Sequence, residues 1–286
     1  MRIKEALNGA VKQFQQHAIS DTPLLEASLL LSFVTNLTRE QLYTHYEEEL
    51  DPHQIASFHK ALSFRLDHTP IAYIIGKKEF YAREFLVTPD VLIPRGDTEV
   101  LVETALSILE KIDGEKSVLD LCTGSGCIGI TIALEHKEAK VTLSDISSKA
   151  LHVAHINSIS LDSPITEFVE SNLFDAFDGR LFTLIVSNPP YIAPSWYREL
   201  SKDVLHEPSL ALLDESEDGL SLIKSIISIS KGHLHKEGSL VIECDYRQIE
   251  AVMKEFTFQG FNEVTYYTDL GNKRRLVSGR YACTKS

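Results

Sequence analysis

The chain has 286 residues, 43% hydrophobic and 24% charged, with 41 acidic against 28 basic side chains and a formal net charge of -13. That length holds one large domain or two unequal ones. The charge argues against a grip on long nucleic acid, where affinity comes from Lys and Arg neutralising phosphates. It favours attraction to a basic partner. No apolar run approaches the ~20 residues of a bilayer span, and the charged N-terminal stretch does not read as a signal peptide. Cys122, Cys127, Cys244 and Cys283 form neither a CxxC pair nor a framework, so a reducing cytoplasmic setting is expected.

Residues 1–76 read as a small helical bundle. Ile3, Leu7, Ala10, Val11, Phe14 and Ala18 recur at spacings of three and four, the mark of an amphipathic helix. Thr22-Pro23 opens a second helix, Thr38 with Gln41 resembles a capping box for a third, and Asp51-Pro52 starts a fourth through Leu66. Pro70 opens a short last turn that Gly76 ends. This part carries no titratable cluster and reads as a recognition or support domain. Residues 77–93 change period and suggest a hairpin. Asp97 or Thr98 is placed to cap the next helix.

Across 94–286 strands and helices alternate. SVLDL, KVTLSD, TEFVES, FTLIVSN and SLVIECD read as buried strands, which predicts an α/β domain with a mostly parallel sheet and helices on both faces. Two strands in NEVTYYTDLGNKRRLVSGRY, separated only by a turn, predict an antiparallel finish at one edge.

Four segments carry chemistry. Asp120, Cys122, Thr123, Gly124, Ser125 and Gly126 lie in a strand-turn-helix loop of nucleotide-binding type, without the Gly-Lys-Ser/Thr of a P-loop; a tight turn with no ligand is the plain reading. Asp145, ending the next strand, can accept ribose hydroxyls or serve the helix start, where Ser147 is also a cap. Asn172 and Leu173 end the third strand, beside where an adenine would lie; a structural loop is the alternative. Asn188-Pro189-Pro190-Tyr191 follows an apolar strand. Its prolines stiffen the turn and push Asn188 toward extended geometry. The Asn188 side-chain oxygen and the Pro189 carbonyl then offer two acceptors to a planar NH₂ group, with Tyr191 as an aromatic wall.

Together these segments resemble the class I S-adenosylmethionine-dependent methyltransferases, and most closely the release factor glutamine N5-methyltransferases. Ile93 to Glu99, Phe182 to Ile192, His206 to Leu212 and Asp269 to Arg275 extend the resemblance over essentially the whole chain. It implies a Rossmann-like class I sheet and S-adenosyl-L-methionine as cofactor, leaving S-adenosyl-L-homocysteine. The substrate it implies is the glutamine of the Gly-Gly-Gln loop in class I peptide chain release factors. It also implies a cytoplasmic monomer. Residues 120–126 would cradle the methionine end and Asp145 the ribose. Asn172 and Leu173 would flank the adenine, Asn188, Pro189, Pro190 and Tyr191 would bind the glutamine beside the cofactor methyl, Asn188 also bordering the cofactor, and Asn188, Pro189 and Tyr191 would be catalytic. The chain departs from the family pattern at Gly96, where proline is usual, at Asn172, where an acid is common, and at Cys122, where glycine is common and where a cysteine requires a negative φ.

Other residues carry alternatives. His152 and His155 sit one helical turn apart without a third ligand, so a solvated face rather than a metal site is expected. His233 and His235 are expected to face solvent, and Glu47, Glu48 and Glu49 to form an exposed helix end. Trp196 could wall the pocket, and Arg95 could reach a cofactor carboxylate. The competing functions are a nucleic-acid adenine or guanine N-methyltransferase using the same loop, and a non-enzymatic cofactor-binding module.

Overall fold

In the computed structural model, which describes residues 1–165 and 167–282, the chain divides into two compact units. One is Met1–Lys77 together with Ser201–His206; the other is Lys78–Leu200 together with the chain from Glu207 onward. Thr166, expected to open a strand, and Cys283 lie outside the described residues.

The first unit is helical: α1 Ile3–Gln16, α2 Pro23–Thr35, α3 Arg39–Thr44, α4 Pro52–Leu66 and α5 Ile71–Ile75. Thr38 and Asp51 form reciprocal capping boxes with Gln41 and Gln54, each satisfying two helix-end donors. Pro23 occupies the first turn of α2, but the Thr22 side chain makes no cap hydrogen bond. Gly76, at φ 81°, ends α5, a conformation that glycine adopts without Cβ strain. Leu7, Phe14, Leu30, Leu31, Leu42 and Phe58 fill the core. Beside it Arg65, 2% exposed, bonds Glu26 Oε2 at 2.7 Å and Asp203 Oδ2 at 2.8 Å. It also donates to the Ile19 carbonyl at 3.0 Å. A buried guanidinium is tolerable only when it is paired in this way. The pairing carries Ser201–His206 with the helices, an association that local sequence patterns do not signal.

The second unit begins with a two-stranded ribbon, β1 Lys77–Phe80 and β2 Arg83–Leu86. A one-turn 3₁₀ helix, Gly96–Thr98, then leads into α6 Glu99–Leu109. Neither expected cap forms there, because Thr98 is already helical at φ -73° and makes no cap hydrogen bond. Asp97 instead pairs with Arg275 at 2.6 Å. The remainder runs β3 Lys116–Leu121, α7 Cys127–Glu135, β4 Ala139–Asp145, α8 Ser148–Ser160, β5 Glu167–Glu170, β6 Phe182–Ser187, α9 Pro194–Tyr197, α10 Ser221–Ser230, β7 Leu234–Glu243, α11 Ile249–Phe258, β8 Phe261–Thr268 and β9 Arg274–Tyr281.

These strands form one sheet in the order β5-β4-β3-β6-β7-β9-β8. The first five are parallel, and β9 runs antiparallel between β7 and β8. The expected antiparallel finish is therefore present at that edge, with β9 tucked inside β8. Alternating residues divide between two cores. Val118, Leu184, Val186 and Val241 pack with Leu101, Ile128 and Ala154 on one face. Leu119, Ile185, Leu240 and Ile242 pack with Ile223, Ile226 and Phe256 on the other. Thus α6, α7 and α8 cover one face and α10 and α11 the other. β7 starts five residues before the expected SLVIECD run, through a register shift opposite Phe182 and Leu184. Its polar opening, Leu234–Gly238, does not resemble a buried strand.

Candidate active site

The strand order reverses direction about β3, whose neighbours are β4 and β6. Ligands of open α/β sheets bind in the crevice at such a switch point, outside the carboxyl ends of the strands. Register brings Leu121 beside Ser144 and Ser187, and Ser187 beside Ile242. The segments after β3, β4, β6 and β7 therefore converge at one end. A cavity of about 290 Å³ lies there. Cys122, Thr123, Gly124, Ser125, Asp145, Asn172, Leu173, Asn188 and Pro190 line it, and so do Arg95 and Thr98. Asp120, Gly126, Pro189 and Tyr191 stand behind that lining.

Asp120 works from below. It is fully buried, and its Oδ2 accepts from Thr123 Oγ1 at 2.6 Å and Gly129 N at 2.9 Å. These bonds pin the loop to β3 and to the first turn of α7. Burial, only partly offset by those bonds, pushes its carboxyl up to about 7. Gly124 and Gly126 have φ of 56° and 80°. A Cβ at Gly124 would meet no atom within 4 Å, so the backbone there is open to a ligand. At Gly126 a Cβ would lie 2.7 Å from Ile130, so this glycine serves close helix packing. Cys122 corrects an expectation. Its φ is +62°, in the left-handed region that favours glycine, because the chain reverses there regardless of side chain. Burial pushes its thiol up to about 12, which disfavours the thiolate form.

Asp145 accepts from Gly124 N and Ser147 N, both at 2.9 Å, and burial raises its pKa. Ser147 Oγ caps α8 through Ala150 N at 3.2 Å. Both residues thus serve the start of α8, Ser147 as its cap and Asp145 through the Ser147 N–H. Two N–H bonds leave lone pairs on the Asp145 carboxylate for further donors. Asn172 is exposed and Leu173 half-buried, at φ 49°.

Asn188 sits at the end of β6, and its Nδ2 donates to Thr98 Oγ1 at 3.4 Å. Tyr191 does not wall the cavity. Its ring packs on the core beside α10 and α11, and its hydroxyl reaches Glu243 Oε1 at 3.4 Å. Burial first, then the nearby Glu243 charge, hold that phenol well above its ordinary range. Gln248, 3% exposed, donates to the Tyr191 carbonyl at 2.9 Å and to the Asp218 and Gly219 carbonyls. It ties the proline-rich turn to the loop before α10. Sequence reading missed both Glu243 and Gln248. The available signal was an acid closing an apolar strand.

Other expectations resolve as follows. Arg95 does meet a carboxylate, that of buried Glu207, whose Oε2 also accepts from Ile93 N at 3.0 Å. Trp196 stands off the cavity and carries the Arg247 guanidinium 3.5 Å from its ring centroid. His152 and His155 are exposed, and no metal-ligand cluster occurs among the described residues. His235 is exposed, but His233 is half-buried and stacks on Phe174 at 4.7 Å. Glu47, Glu48 and Glu49 are exposed beyond α3.

The charged side chains of the lining are Asp90, Asp145 and Arg95, and Arg95 is neutralised by Glu207. Asp90 is likewise paired, with Lys149 at 3.4 Å, so Asp145 is the charged lining residue left without a basic partner among the described residues. The cavity is compatible with a nucleoside that carries a positive centre, as in S-adenosyl-L-methionine.

Comparison with known proteins agrees. Residues 5–76 match the model described as PrmC N-terminal domain, and residues 97–215 match Methyltransferase small domain. The chain is 40% identical to the release factor glutamine methyltransferase of Leptospira interrogans over 258 residues, covering 88% of this chain and 89% of that protein. The chain belongs to the release factor glutamine methyltransferase family. A second member, from Coxiella burnetii, is 38% identical over 98% of this chain and 99% of its own length. A protein described as a bifunctional methyltransferase, from Rickettsia felis, is 38% identical over 96% of this chain, which spans only 57% of its length. The catalytic domain of hMettl16, solved with a MAT2A 3′UTR hairpin, shares the fold at a TM-score of 0.53 and 16% identity, each chain being 82% covered. The family and fold together imply S-adenosyl-L-methionine as cofactor.

Proposed function

We propose that this chain transfers a methyl group from S-adenosyl-L-methionine to the side-chain amide nitrogen (N5) of the glutamine in the Gly-Gly-Gln loop of class I peptide chain release factors. The observation that carries this reading is the position of Asn188. It borders the same cavity as the glycine loop and Asp145, and its Nδ2 is engaged by Thr98.

The cofactor, when bound, supplies an electrophilic methyl group on a sulfonium. Gly124 would offer open backbone to its amino-acid end, Asp145 would take the ribose hydroxyls, and Asn172 and Leu173 would flank the base. An amide nitrogen is a weak nucleophile because its lone pair is delocalised into the carbonyl. In this reading Asn188 Oδ1 would accept one N–H, and the carbonyl of Pro189, a buried residue off the cavity lining, would need to turn inward to accept the other and aim the lone pair at the methyl. As positive charge develops on nitrogen, those hydrogen bonds strengthen, so they favour the transition state over the ground state. As N–C forms and S–C breaks, the nitrogen gives up one proton to solvent and S-adenosyl-L-homocysteine leaves. Holding the reactants together can contribute several kcal/mol more, about 7 in well-oriented cases.

The helical unit is assigned to recognition of the protein substrate. In this reading the working form is a cytoplasmic monomer. The net charge of -13 draws in a basic partner surface, so added salt weakens that encounter. The deciding experiment offers methyl-labelled S-adenosyl-L-methionine with a release factor, its loop Gln→Ala variant, tRNA or DNA. Label on the unaltered factor alone supports the reading, and label on nucleic acid alone overturns it.

A further inference from the structure

Behind Asn188 lies a polar cluster to which methyl transfer itself gives no task. Thr98 is 2% exposed and receives Asn188 Nδ2 on its hydroxyl oxygen. Thr98 also adjoins Glu243, whose carboxyl its hydroxyl draws down against the larger upward push of burial. The Tyr191 hydroxyl reaches Glu243 Oε1 from the other side at 3.4 Å. Glu243 is 3% exposed, and its Oε2 has no hydrogen-bond partner among the described residues. A buried carboxylate so incompletely satisfied calls for an explanation.

The explanation lies in the ambiguity of an asparagine amide. Its oxygen and nitrogen arms have nearly the same shape but opposite hydrogen-bonding character. A threonine hydroxyl alone cannot choose between them, since it both donates and accepts. Beside an ionised carboxylate, which only accepts, the hydroxyl commits its single proton. Its lone pairs can then receive only the Asn188 NH₂, and Oδ1 is left for the substrate.

We propose that Glu243 is a positioning residue that, through Thr98, fixes the Asn188 side chain with its oxygen presented to the substrate nitrogen and, through Tyr191, holds the end of the same turn. The proposal rests on the reading of Asn188 as the substrate acceptor. Asp97 and Tyr191, Arg275 on β9, Cys127 on α7, and Cys244 and Asp245 beyond β7 are the charged and titratable groups around Glu243. Arg275 is already shared by Asp97 at 2.6 Å and Asp269 at 2.7 Å. Burial pushes the Glu243 carboxyl up to about 7. Below that pH the carboxyl carries a proton that it can donate to Thr98, and the constraint on Asn188 is released.

The test uses the full chain, S-adenosyl-L-methionine and a release factor, with Glu243→Gln, Thr98→Val and the double variant. Each single change should lower kcat about tenfold, as for loss of one oriented hydrogen bond, with cofactor affinity within about twofold. The double variant should lose no more than the worse single, as expected of residues acting in one chain. Wild-type kcat should fall below pH of about 7, and Glu243→Gln should weaken that limb, leaving the part due to Asp120, whose carboxyl also lies at about 7. Wild-type turnover in Glu243→Gln, additive losses, or an acidic limb unchanged from the wild type would each overturn the proposal. If Glu243→Gln does not fold, Thr98→Val, which removes both the acceptor of Asn188 Nδ2 and the link to Glu243, should lose the Glu243 share of the acidic limb as well as kcat, and a limb unchanged from the wild type would overturn the proposal. Failure of the underlying reading shows up separately, as undiminished turnover in Asn188→Ala or as no label on the factor.

Discussion

Two residues at the cavity carry opposite expectations. Asn188 acts in the developing transition state, so Asn188→Ala should lower kcat by about 100-fold or more, on the scale of a lost preorganised hydrogen-bonding group. Cofactor affinity should stay nearly unchanged, because the Asn188 contact is made to the substrate. Equilibrium binding of S-adenosyl-L-methionine, measured beside single-turnover methylation, checks the division. Cys122 tests the backbone instead. At φ +62° a left-handed residue with a Cβ is strained by about 1–2 kcal/mol, and β-branching makes it worse. Cys122→Gly should therefore be tolerated or slightly stabilising despite its unfolded-state entropy, and Cys122→Val should be less stable than Cys122→Gly. Urea unfolding of the two variants decides it, and equal midpoints would contradict the strain argument.

At the scale of elements, the site depends on how closely α7 lies against the sheet. A Cβ on Gly129 would come 2.2 Å from Leu143 Cδ2 and 2.9 Å from Asp120 Oδ2. The Leu143 and Asp120 side chains, or the helix itself, must shift to accept it, and overpacking of this kind costs about 1–3 kcal/mol. Gly129→Ala should lower the thermal midpoint. It should also weaken cofactor binding, because the same shift disturbs the Asp120 bond that pins the loop. Much of this architecture was legible in sequence. Apolar runs closed by Asp120, Asp145 and Asn188 gave strand ends that the register then aligned, Thr38 announced its capping box, and Asp51-Pro52 its helix start. The rest depends on partners distant in the chain. Tyr191 turned from the cavity because Glu243 lies 52 positions away, Arg65 collected Asp203 from a loop, and the φ of Cys122 came from the path of the chain rather than from its side chain. Local periodicity holds no record of such pairings.

The whole molecule carries its acid balance into its stability. Burial raises Asp120 from 3.8, and Glu243 from 4.5, to about 7 in the folded protein. The folded state therefore holds these protons more tightly than the unfolded chain. Their contribution is fully present below pH of about 4 and is lost as pH rises through about 7. Asp269, Asp218 and Glu167 are lowered chiefly by hydrogen bonds from Arg275, Lys224 and Arg180. Their stabilisation is lost only in acid, so they do not offset the loss at neutral pH. Repulsion within a chain of net charge -13 acts in the same direction as Asp120 and Glu243. The unfolding free energy should accordingly fall between pH 5.5 and 8. Salt should recover the part that arises from surface repulsion, which it screens, and leave the part from the two buried carboxyls. Glu243→Gln should show a shallower slope over the same range. Thermal midpoints across that pH series, at low and high salt, measure both parts, and a flat or rising profile in the wild type would refute the assignment of these two carboxyls.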